Sequence, residues 1–248
     1  MSQKRLLLLS NSTNPGEPYL TWPLGHIGDF LGGRIKRVFF VPYAGVSITW
    51  DDYTARVRER FESLGIEVTA AHETAKPAET ARGAEAVVVG GGNTWNLLKT
   101  LYETEVLHAV KTRVEEGAPY IGWSAGSNVA CPTIKTTNDM PIVEPPSMTA
   151  LGLVPFQINP HFSAGRLEGQ PGETREERLA EFLEANPGIH VVGLQEGTAL
   201  RVEGRGIEFL GSKPAKVFLK GAAPLECGTR DSLQFLLTGP GEPAPRFA

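Results

Sequence analysis

The stretch Ala118 to Pro132, which reads APYIGWSAGSNVACP, decides the fold of this chain. A short apolar run ends in Gly122 to Gly126 (GWSAG), and small residues that tolerate a helix follow. The G-x-S-x-G pattern between a strand and a helix predicts a sharp turn that presents the hydroxyl of Ser124 above the sheet edge. The N–H of Ala125, at the start of the new helix, would face an oxyanion that forms there. The alternative interpretation is a tight Gly-Ser turn that only connects two elements.

Apolar strands alternate with amphipathic helices in the part of the chain before this turn. Strands are predicted at Arg5–Ser10, Arg37–Val41, Ile66–Ala70 and Glu85–Val89, and helices at Tyr19–Leu31, Trp50–Leu64, Trp95–Leu101 and Val106–Glu116. The alternation predicts an α/β fold with a mostly parallel sheet and helices on both faces. Functional sites in such sheets lie at the carboxyl ends of the strands, where Gly90–Asn93 and Ser124 both fall.

The chain after the turn is less regular. A polar, proline-rich loop is predicted at Thr133–Pro146, strands at Leu151–Asn159 and His190–Leu194, and a helix at Glu173–Leu183. Short strands at Leu200–Val202, Ile207–Leu210 and Val217–Leu219 predict a small antiparallel C-terminal edge. We interpret residues 1–238 as a single α/β domain and residues 239–248 as a flexible tail.

The composition indicates a globular protein without a nucleic-acid or membrane partner. The formal net charge of −4 argues against nucleic acid or an anionic membrane as the main partner. No apolar run reaches the ~20 residues of a membrane-spanning helix. The run Leu6–Leu9 is shorter than a secretory hydrophobic segment, so we interpret it as part of the first buried strand. The two cysteines, Cys131 and Cys227, lack C-x-x-C spacing and are expected to be reduced thiols of a cytoplasmic protein without a metal site.

A serine hydroxyl becomes a nucleophile when a base takes its proton and an acid orients that base. Of the five histidines, His161 is the candidate base, because it follows an apolar segment and a proline fixes the backbone before it. A structural loop histidine is the alternative. Asp139 in the polar loop and Glu196 at the end of a predicted strand are the candidate orienting acids, and each could instead be a turn residue.

The glycines Gly90 to Gly92 end a strand and open a helix. A turn of this kind can bind phosphate, but the sequence patterns of the known phosphate-binding loops are absent. We expect instead that the N–H of Gly91 or Gly92 is a second oxyanion donor beside that of Ala125. A simple strand-to-helix turn is the alternative.

Seven motifs resemble those of the peptidase E family. They are SNSTNPG at Ser10–Gly16, VPYAGV at Val41–Val46, VVGGGNTW at Val88–Trp95, the long block at Ile121–Val143, INPHF at Ile158–Phe162, GETREERL at Gly172–Leu179 and GLQEGT at Gly193–Thr198. These are the alpha-aspartyl dipeptidases of the serine-peptidase family that also contains cyanophycinase. The resemblance extends from Leu6 to about Thr198. It implies a class I glutamine amidotransferase-like fold, with Ser124 in place of the cysteine of those enzymes.

The resemblance also implies an activity, the hydrolysis of dipeptides whose first residue is aspartate, without a cofactor. It assigns the nucleophile to Ser124, the base to His161 and an essential acid to Asp139, while Glu196 falls where a carboxylate is also proposed as the third triad member. The choice between the two acids stays open.

Arg175 and Asn93 are the candidate substrate-binding residues. The resemblance places Arg175 where the aspartate side chain is bound, and a guanidinium suits that task because it can donate two parallel hydrogen bonds to a carboxylate. Without the resemblance, the preferred interpretation of Arg175 is a solvated helix residue that pairs with a nearby glutamate. Asn93, beside the glycines, joins it as a substrate-binding candidate.

Two further functions stay open. One is a different hydrolase on the same scaffold, such as a cyanophycinase-like exopeptidase or an esterase. The other is a small-molecule binding domain that has lost catalysis. We expect a small Asp-X peptide as the partner, and a monomer or a homodimer.

Overall fold

In the computed structural model of the chain, residues 4–165 and 172–238 are described. The strands are β1 (Arg5–Leu9), β2 (Arg37–Val41), β3 (Glu67–Ala70), β4 (Ala86–Val89), β5 (Tyr120–Trp123), β6 (Gln157–Asn159), β7 (Val191–Gly193), β8 (Ala199–Glu203), β9 (Gly206–Leu210), β10 (Ala215–Phe218) and β11 (Leu225–Cys227). The helices are α1 (Leu24–Leu31), α2 (Trp50–Glu62), α3 (Pro77–Arg82), α4 (Thr94–Glu103), α5 (Val106–Glu115), α6 (Ala125–Val129) and α7 (Arg175–Ala185). Short 3₁₀ turns lie at Ala71–Glu73 and Gln234–Leu237.

The main sheet has seven strands in the order β3-β2-β4-β5-β1-β8-β9. The first five strands are parallel to one another, and β8 and β9 add an antiparallel edge beside β1. This confirms the predicted α/β class with a mostly parallel sheet. The carboxyl ends of β4 and β5 are neighbours. The glycine loop, Gly90–Gly92, and Ser124 therefore meet at the same edge of the main sheet.

Helices cover both faces of the main sheet, as predicted, because its central strands carry buried apolar residues on both faces. In β1, Leu6 and Leu8 belong to a core cluster with residues of α3, α4 and α5, whereas Leu7 and Leu9 belong to a second cluster with α1 and α2. Successive side chains of a strand point to opposite faces. The continuous apolar run that predicted a doubly covered strand is therefore divided between two cores.

A second sheet of four strands, in the order β11-β10-β7-β6, was not anticipated. Ile158 and Val192 join the core cluster that contains α3, α4 and α5. On the other side, Leu179 and Leu183 of α7 pack in a third cluster with Val191. The predicted strand at Val217 pairs with β7 in this sheet rather than with the antiparallel edge of the main sheet, which corrects the prediction of one C-terminal edge.

Several element boundaries differ from the prediction. The first helix begins at Leu24 rather than at Tyr19, because the preceding residues form turns and Leu20 has a left-handed φ of 54°. Only the last three residues of the predicted strand at Leu151–Asn159 are extended. The elements α3 and β11 were not predicted. The predicted tail at 239–248 falls outside the described residues, and the single-domain boundary at 238 stays a prediction.

None of the helices in the described residues has the length and hydropathy that a bilayer-spanning segment requires.

Candidate active site

Ser124 lies on the turn between β5 and α6 in a strained backbone conformation, with φ 53° and ψ −113°. Such a conformation costs about 1–3 kcal/mol and persists only where the surroundings hold it. A Cβ on Gly126 would lie 2.1 Å from the carbonyl oxygen of Val89, so the helix approaches β4 as closely as only glycine allows. The predicted sharp turn is present, and it aims the partly exposed serine into a cavity.

Two buried hydroxyls fix this turn. The Oγ of Ser127 lies 2.7 and 2.8 Å from the carbonyl oxygens of Leu9 and Gly122, which share its one proton. The hydroxyl of Tyr120 donates to the carbonyl oxygen of Gly126 at 2.6 Å. Backbone carbonyls of β1, β5 and α6 are thereby joined beneath Ser124, which holds the strained residue in place.

His161 connects Ser124 to Glu196. Its Nε2 lies 2.8 Å from the Oγ of Ser124, and its Nδ1 lies 2.8 Å from the Oε1 of Glu196. The histidine follows β6 and the glutamate follows β7, so the parallel pairing of these two strands brings both side chains to the same edge of the second sheet. The structure therefore groups three of the residues singled out from the sequence.

Ser10 was missed by the sequence reasoning. Its Oγ accepts a hydrogen bond from the N–H of His161 at 3.0 Å and donates to the carbonyl of Leu194 at 2.8 Å. Ser10 directly follows β1 of the main sheet, so it links the two sheets beside the His161 backbone, which has a left-handed φ of 53°. Its place in the SNSTNPG motif was the available signal.

Asp139 forms no hydrogen bond with His161. Its Oδ2 accepts hydrogen bonds from the N–H of Thr94 at 2.8 Å, from the Oγ1 of Thr94 at 2.5 Å and from the Oγ1 of Thr137 at 3.0 Å. Its carbonyl oxygen accepts from the Nε1 of Trp95 at 3.1 Å. Asp139 therefore attaches the polar loop to the first turn of α4, directly after the glycine loop.

The glycine loop lies against Ser124. A Cβ on Gly91 would come within 2.9 Å of the Ser124 Cβ, so this backbone could not approach the serine with any larger residue. Among residues 4–165 and 172–238, the N–H groups of Gly91, Gly92 and Ala125 donate no hydrogen bond to another protein group. These three amides beside the hydroxyl are free to meet a developing oxyanion.

Tyr53 of α2 is hydrogen-bonded to the glycine loop. Its hydroxyl donates to the carbonyl oxygen of Gly91 at 3.0 Å and accepts from the indole Nε1 of Trp123 at 3.0 Å. Burial raises the pKa of the Tyr53 phenol, so it stays a neutral donor. This contact joins the glycine loop to the residue that precedes Ser124, and no motif in the sequence indicated it.

Asn93 caps α4. Its Oδ1 accepts from the N–H of Asn96 at 3.0 Å, and its Nδ2 donates to the carbonyl of Met140 at 2.9 Å. The side chain also lines the cavity above Ser124. Its amide is therefore committed to the loop that forms one wall of the site.

The cavity that Ser124 and His161 line has a volume of about 720 Å³. The glycine loop, Asn93 and Asp139 form part of its wall, and the apolar side chains of Val46, Ile48, Met140 and Ile142 form another part. Arg56 and Tyr19 also line it. A cavity of this size accommodates a small molecule of dipeptide dimensions.

Arg175 is the first residue of α7 and is not among the residues that line this cavity. Burial, followed by the charge of Arg178, lowers the pKa of its guanidinium, and the charge of Asp139 acts in the opposite direction. Arg175 is thus half-buried and close enough to Asp139 to interact with it electrostatically.

One group of metal-ligand type lies elsewhere among the described residues. Ligand atoms of Asp51, His72 and Glu73 lie within 4.8 Å of one another. The His72 Nε2 is 2.8 Å from Asp51, and Glu73 forms an ion pair with Arg58, so these side chains already have protein partners. None of these residues lines the cavity that contains Ser124.

An α/β sheet that presents a serine on a strained strand-to-helix turn, hydrogen-bonded to a histidine and through it to a carboxylate, has the site architecture of the serine hydrolases. The sequence profile described as peptidase family S51 matches residues 6–210. The chain therefore belongs to peptidase family S51, and the resemblance seen in its motifs is confirmed.

Individual relatives agree with this assignment. The chain is 51% identical over 234 residues to peptidase E of Nostoc sp., covering 94% of this chain and 97% of that protein. It is 49% identical over 227 residues to peptidase E of Citrobacter koseri, covering 91% and 99% of the two chains. The crystal structure of a peptidase from an acI-B1 actinobacterium superposes with a TM-score of 0.68 at 17% identity, over 93% of this chain and 97% of that one, and supports the fold.

Proposed function

We propose that the chain is a serine exopeptidase that releases aspartate from Asp-X dipeptides through an acyl-enzyme. The observation that carries the proposal is the hydrogen-bonded chain from Ser124 through His161 to Glu196, with both distances at 2.8 Å. Membership of family S51 and the relatives named peptidase E support it.

The geometry suits acyl transfer in two halves. In the first, the Nε2 of His161 takes the Ser124 proton as the Oγ attacks the scissile carbonyl carbon. Glu196 accepts a hydrogen bond from the Nδ1–H and stabilises the imidazolium that forms. The negative charge on the substrate oxygen is met by the N–H of Ala125 and by that of Gly91 or Gly92.

The protonated Nε2 then gives its proton to the departing amine, the C–N bond breaks, and the aspartyl group stays on Ser124 as an ester. In the second half, a water molecule attacks the ester while His161 accepts its proton. The ester bond breaks, the proton returns to the Oγ, and aspartate leaves. No step requires a group beyond the side chains and amides of the site.

Arg175 is our proposal for the residue that binds the aspartate side chain, and Asn93 for a wall of the same pocket. The half-buried guanidinium lies within electrostatic reach of Asp139, which itself lines the cavity. A half-buried cation left without its carboxylate inside a closed complex is costly, so an uncharged first residue should be rejected by about 10⁴-fold.

The test of the nucleophile is Ser124→Ala. We expect kcat for Asp-Leu to fall by about 10⁶-fold, because the remaining groups cannot form an acyl-enzyme. Steady-state kinetics measure the loss, and the melting temperature of the variant controls for folding. A folded variant that cleaves Asp-Leu near the wild-type rate would contradict the mechanism.

Substrate choice tests the specificity separately. The wild-type protein should cleave Asp-Leu and leave Asn-Leu almost untouched. If it instead cleaves a β-aspartyl-arginine dipeptide and not Asp-Leu, the activity is that of another hydrolase on the same scaffold.

Cellular location and assembly belong to the same proposal. A reducing cytoplasm is supported by Cys131 and Cys227, both buried and unpaired. A monomer or a homodimer stays a prediction that sedimentation can test.

A further inference from the structure

Arg56 is an unassigned cation in the wall of the candidate active site. It lies on α2, one turn after Tyr53, and its exposed side chain lines the same cavity as Ser124 and His161. Within the described parts of the chain, it is the one lysine or arginine that lines this cavity. The sequence motifs gave it no role.

The Arg56 guanidinium forms neither an ion pair nor a hydrogen bond within residues 4–165 and 172–238. Arg58 on the same helix differs, because it donates to the carbonyl of Val68 and pairs with Glu73. Burial raises the pKa of the Tyr19 phenol, and the charge of Arg56 acts in the opposite direction, so the guanidinium lies near this cavity residue. An unpaired cation at a cavity wall is suited to an anionic ligand.

The position of Arg56 relative to the reacting serine follows from the fold. α2 packs on the face of the main sheet that Leu7 and Leu9 define, whereas α4 and the attached Asp139 lie on the opposite face. Ser124 is at the sheet edge between them. Arg175, which interacts electrostatically with Asp139, therefore lies toward one side of the serine, and Arg56 lies on the other.

An Asp-X dipeptide carries one carboxylate on each side of its scissile bond: the aspartate side chain on the acyl side and the free C-terminus on the leaving side. We propose that Arg56 binds the C-terminal carboxylate of the dipeptide and so restricts the enzyme to substrates that end one residue after the scissile bond. This inference rests on the proposed function, and it adds a second charge contact opposite that of Arg175.

The remaining wall of the cavity suits the second residue of such a substrate. Val46 and Ile142 are apolar and largely exposed, and Ile48 lies beside them in the lining. An apolar side chain would bury surface against these residues, while its carboxylate turns toward the guanidinium. Asp-Leu is therefore the probe substrate.

The experiment compares Asp-Leu with Asp-Leu amide, which lacks only the terminal negative charge, in the wild-type protein and in Arg56→Gln. We expect the wild-type kcat/KM to favour Asp-Leu by about 10- to 100-fold, the value of hydrogen bonds to a charged group. In Arg56→Gln this ratio should fall to near one, mainly through a higher KM for Asp-Leu. Arg56→Lys should retain part of the preference, because the charge is kept and the bidentate geometry is lost.

Arg60→Gln is the matched control, since Arg60 is on the same helix but does not line the cavity. It should keep the wild-type ratio. A wild-type ratio near one, or a ratio that Arg56→Gln leaves unchanged, would overturn the inference while leaving the proposed function intact. A wild-type protein that cleaves neither substrate would instead contradict the proposed function.

Discussion

At the scale of single residues, the two candidate carboxylates have different surroundings. Glu196 is hydrogen-bonded to the imidazole of His161, whereas Asp139 accepts three hydrogen bonds from Thr94 and Thr137 and forms none with the histidine. Both stood in polar segments of the sequence, and the choice between them stayed open. Local sequence could not separate them, because the partners that distinguish them, His161 for Glu196 and Thr94 for Asp139, lie far away along the chain.

Glu196→Gln should lower kcat for Asp-Leu by about 10³- to 10⁴-fold. The amide is nearly the same shape, but it cannot stabilise the imidazolium and it can favour the wrong histidine tautomer. Steady-state kinetics measure this effect, and the unfolding midpoint in urea should stay near that of the wild type, because the side chain is partly exposed. A variant with more than a tenth of the wild-type kcat would argue against Glu196 as the orienting acid.

Asp139→Ala is the contrasting variant. It removes the acceptor for the first N–H of α4 and for two hydroxyls, so we expect the free energy of unfolding to fall by about 1–3 kcal/mol. If Asp139→Ala kept full stability while Glu196→Gln lost it, the structural assignment of the two carboxylates would be reversed.

At the scale of elements, the segments with a clear apolar run or a clear helical stripe of apolar residues were predicted best. β2 has the predicted bounds, because four consecutive apolar residues follow its basic first residue, Arg37, and Pro42 comes directly after them. α3 was missed because it is six residues long and has a single buried side chain, Ala81, so it shows no helical stripe. The start of α1 was misplaced because Tyr19 and Leu20 are apolar residues of a turn rather than of the helix.

Gly126→Ala should lower the free energy of unfolding by about 1–3 kcal/mol. Its Cβ would lie 2.1 Å from the backbone oxygen of Val89, and a backbone atom of a buried strand cannot move aside cheaply. Urea unfolding measures the change, and activity should fall with it because α6 carries the Ala125 amide.

Gly25→Ala in α1 is the matched control. Nothing lies within 4 Å of the added Cβ, and the residue is helical, so the free energy of unfolding should rise by about 0.4–1 kcal/mol. Equal effects of the two substitutions would show that the close approach of Gly126 to Val89 does not influence the free energy of unfolding.

At the scale of the whole molecule, the α/β class followed from the alternation of strands and helices, but the division into two sheets did not. Val217 and Ile207 lie in similar short apolar strands, yet one pairs with β7 and the other with β8. Pairing partners depend on long-range packing that a local pattern does not contain. The same reason explains why Ser10 and Tyr53, which support the site across elements, were not found.

Both thiols lie in one buried core cluster, which contains residues of the main sheet and of the second sheet. Cys131 and Cys227 have no exposed surface, and burial raises the pKa of both, that of Cys227 to about 12 with the charge of Asp231 contributing. A neutral, inaccessible thiol is unreactive. We expect Ellman's reagent at pH 8 to label neither cysteine in the native protein and both in urea. Rapid labelling of the native protein would contradict the packing described here.

The three hydrogen-bonded residues Ser124, His161 and Glu196 come from two sheets, which has a consequence for the synthesis of the chain. The main sheet supplies Ser124 and the amides, while His161 and Glu196 follow strands of the second sheet. A nascent chain that has emerged from the ribosome only as far as β5 and α6 carries an unassisted hydroxyl. On the proposed mechanism, hydrolytic competence arises late in translation, once both β6 and β7 have emerged and docked, so an incomplete chain is expected not to cleave the peptides around it.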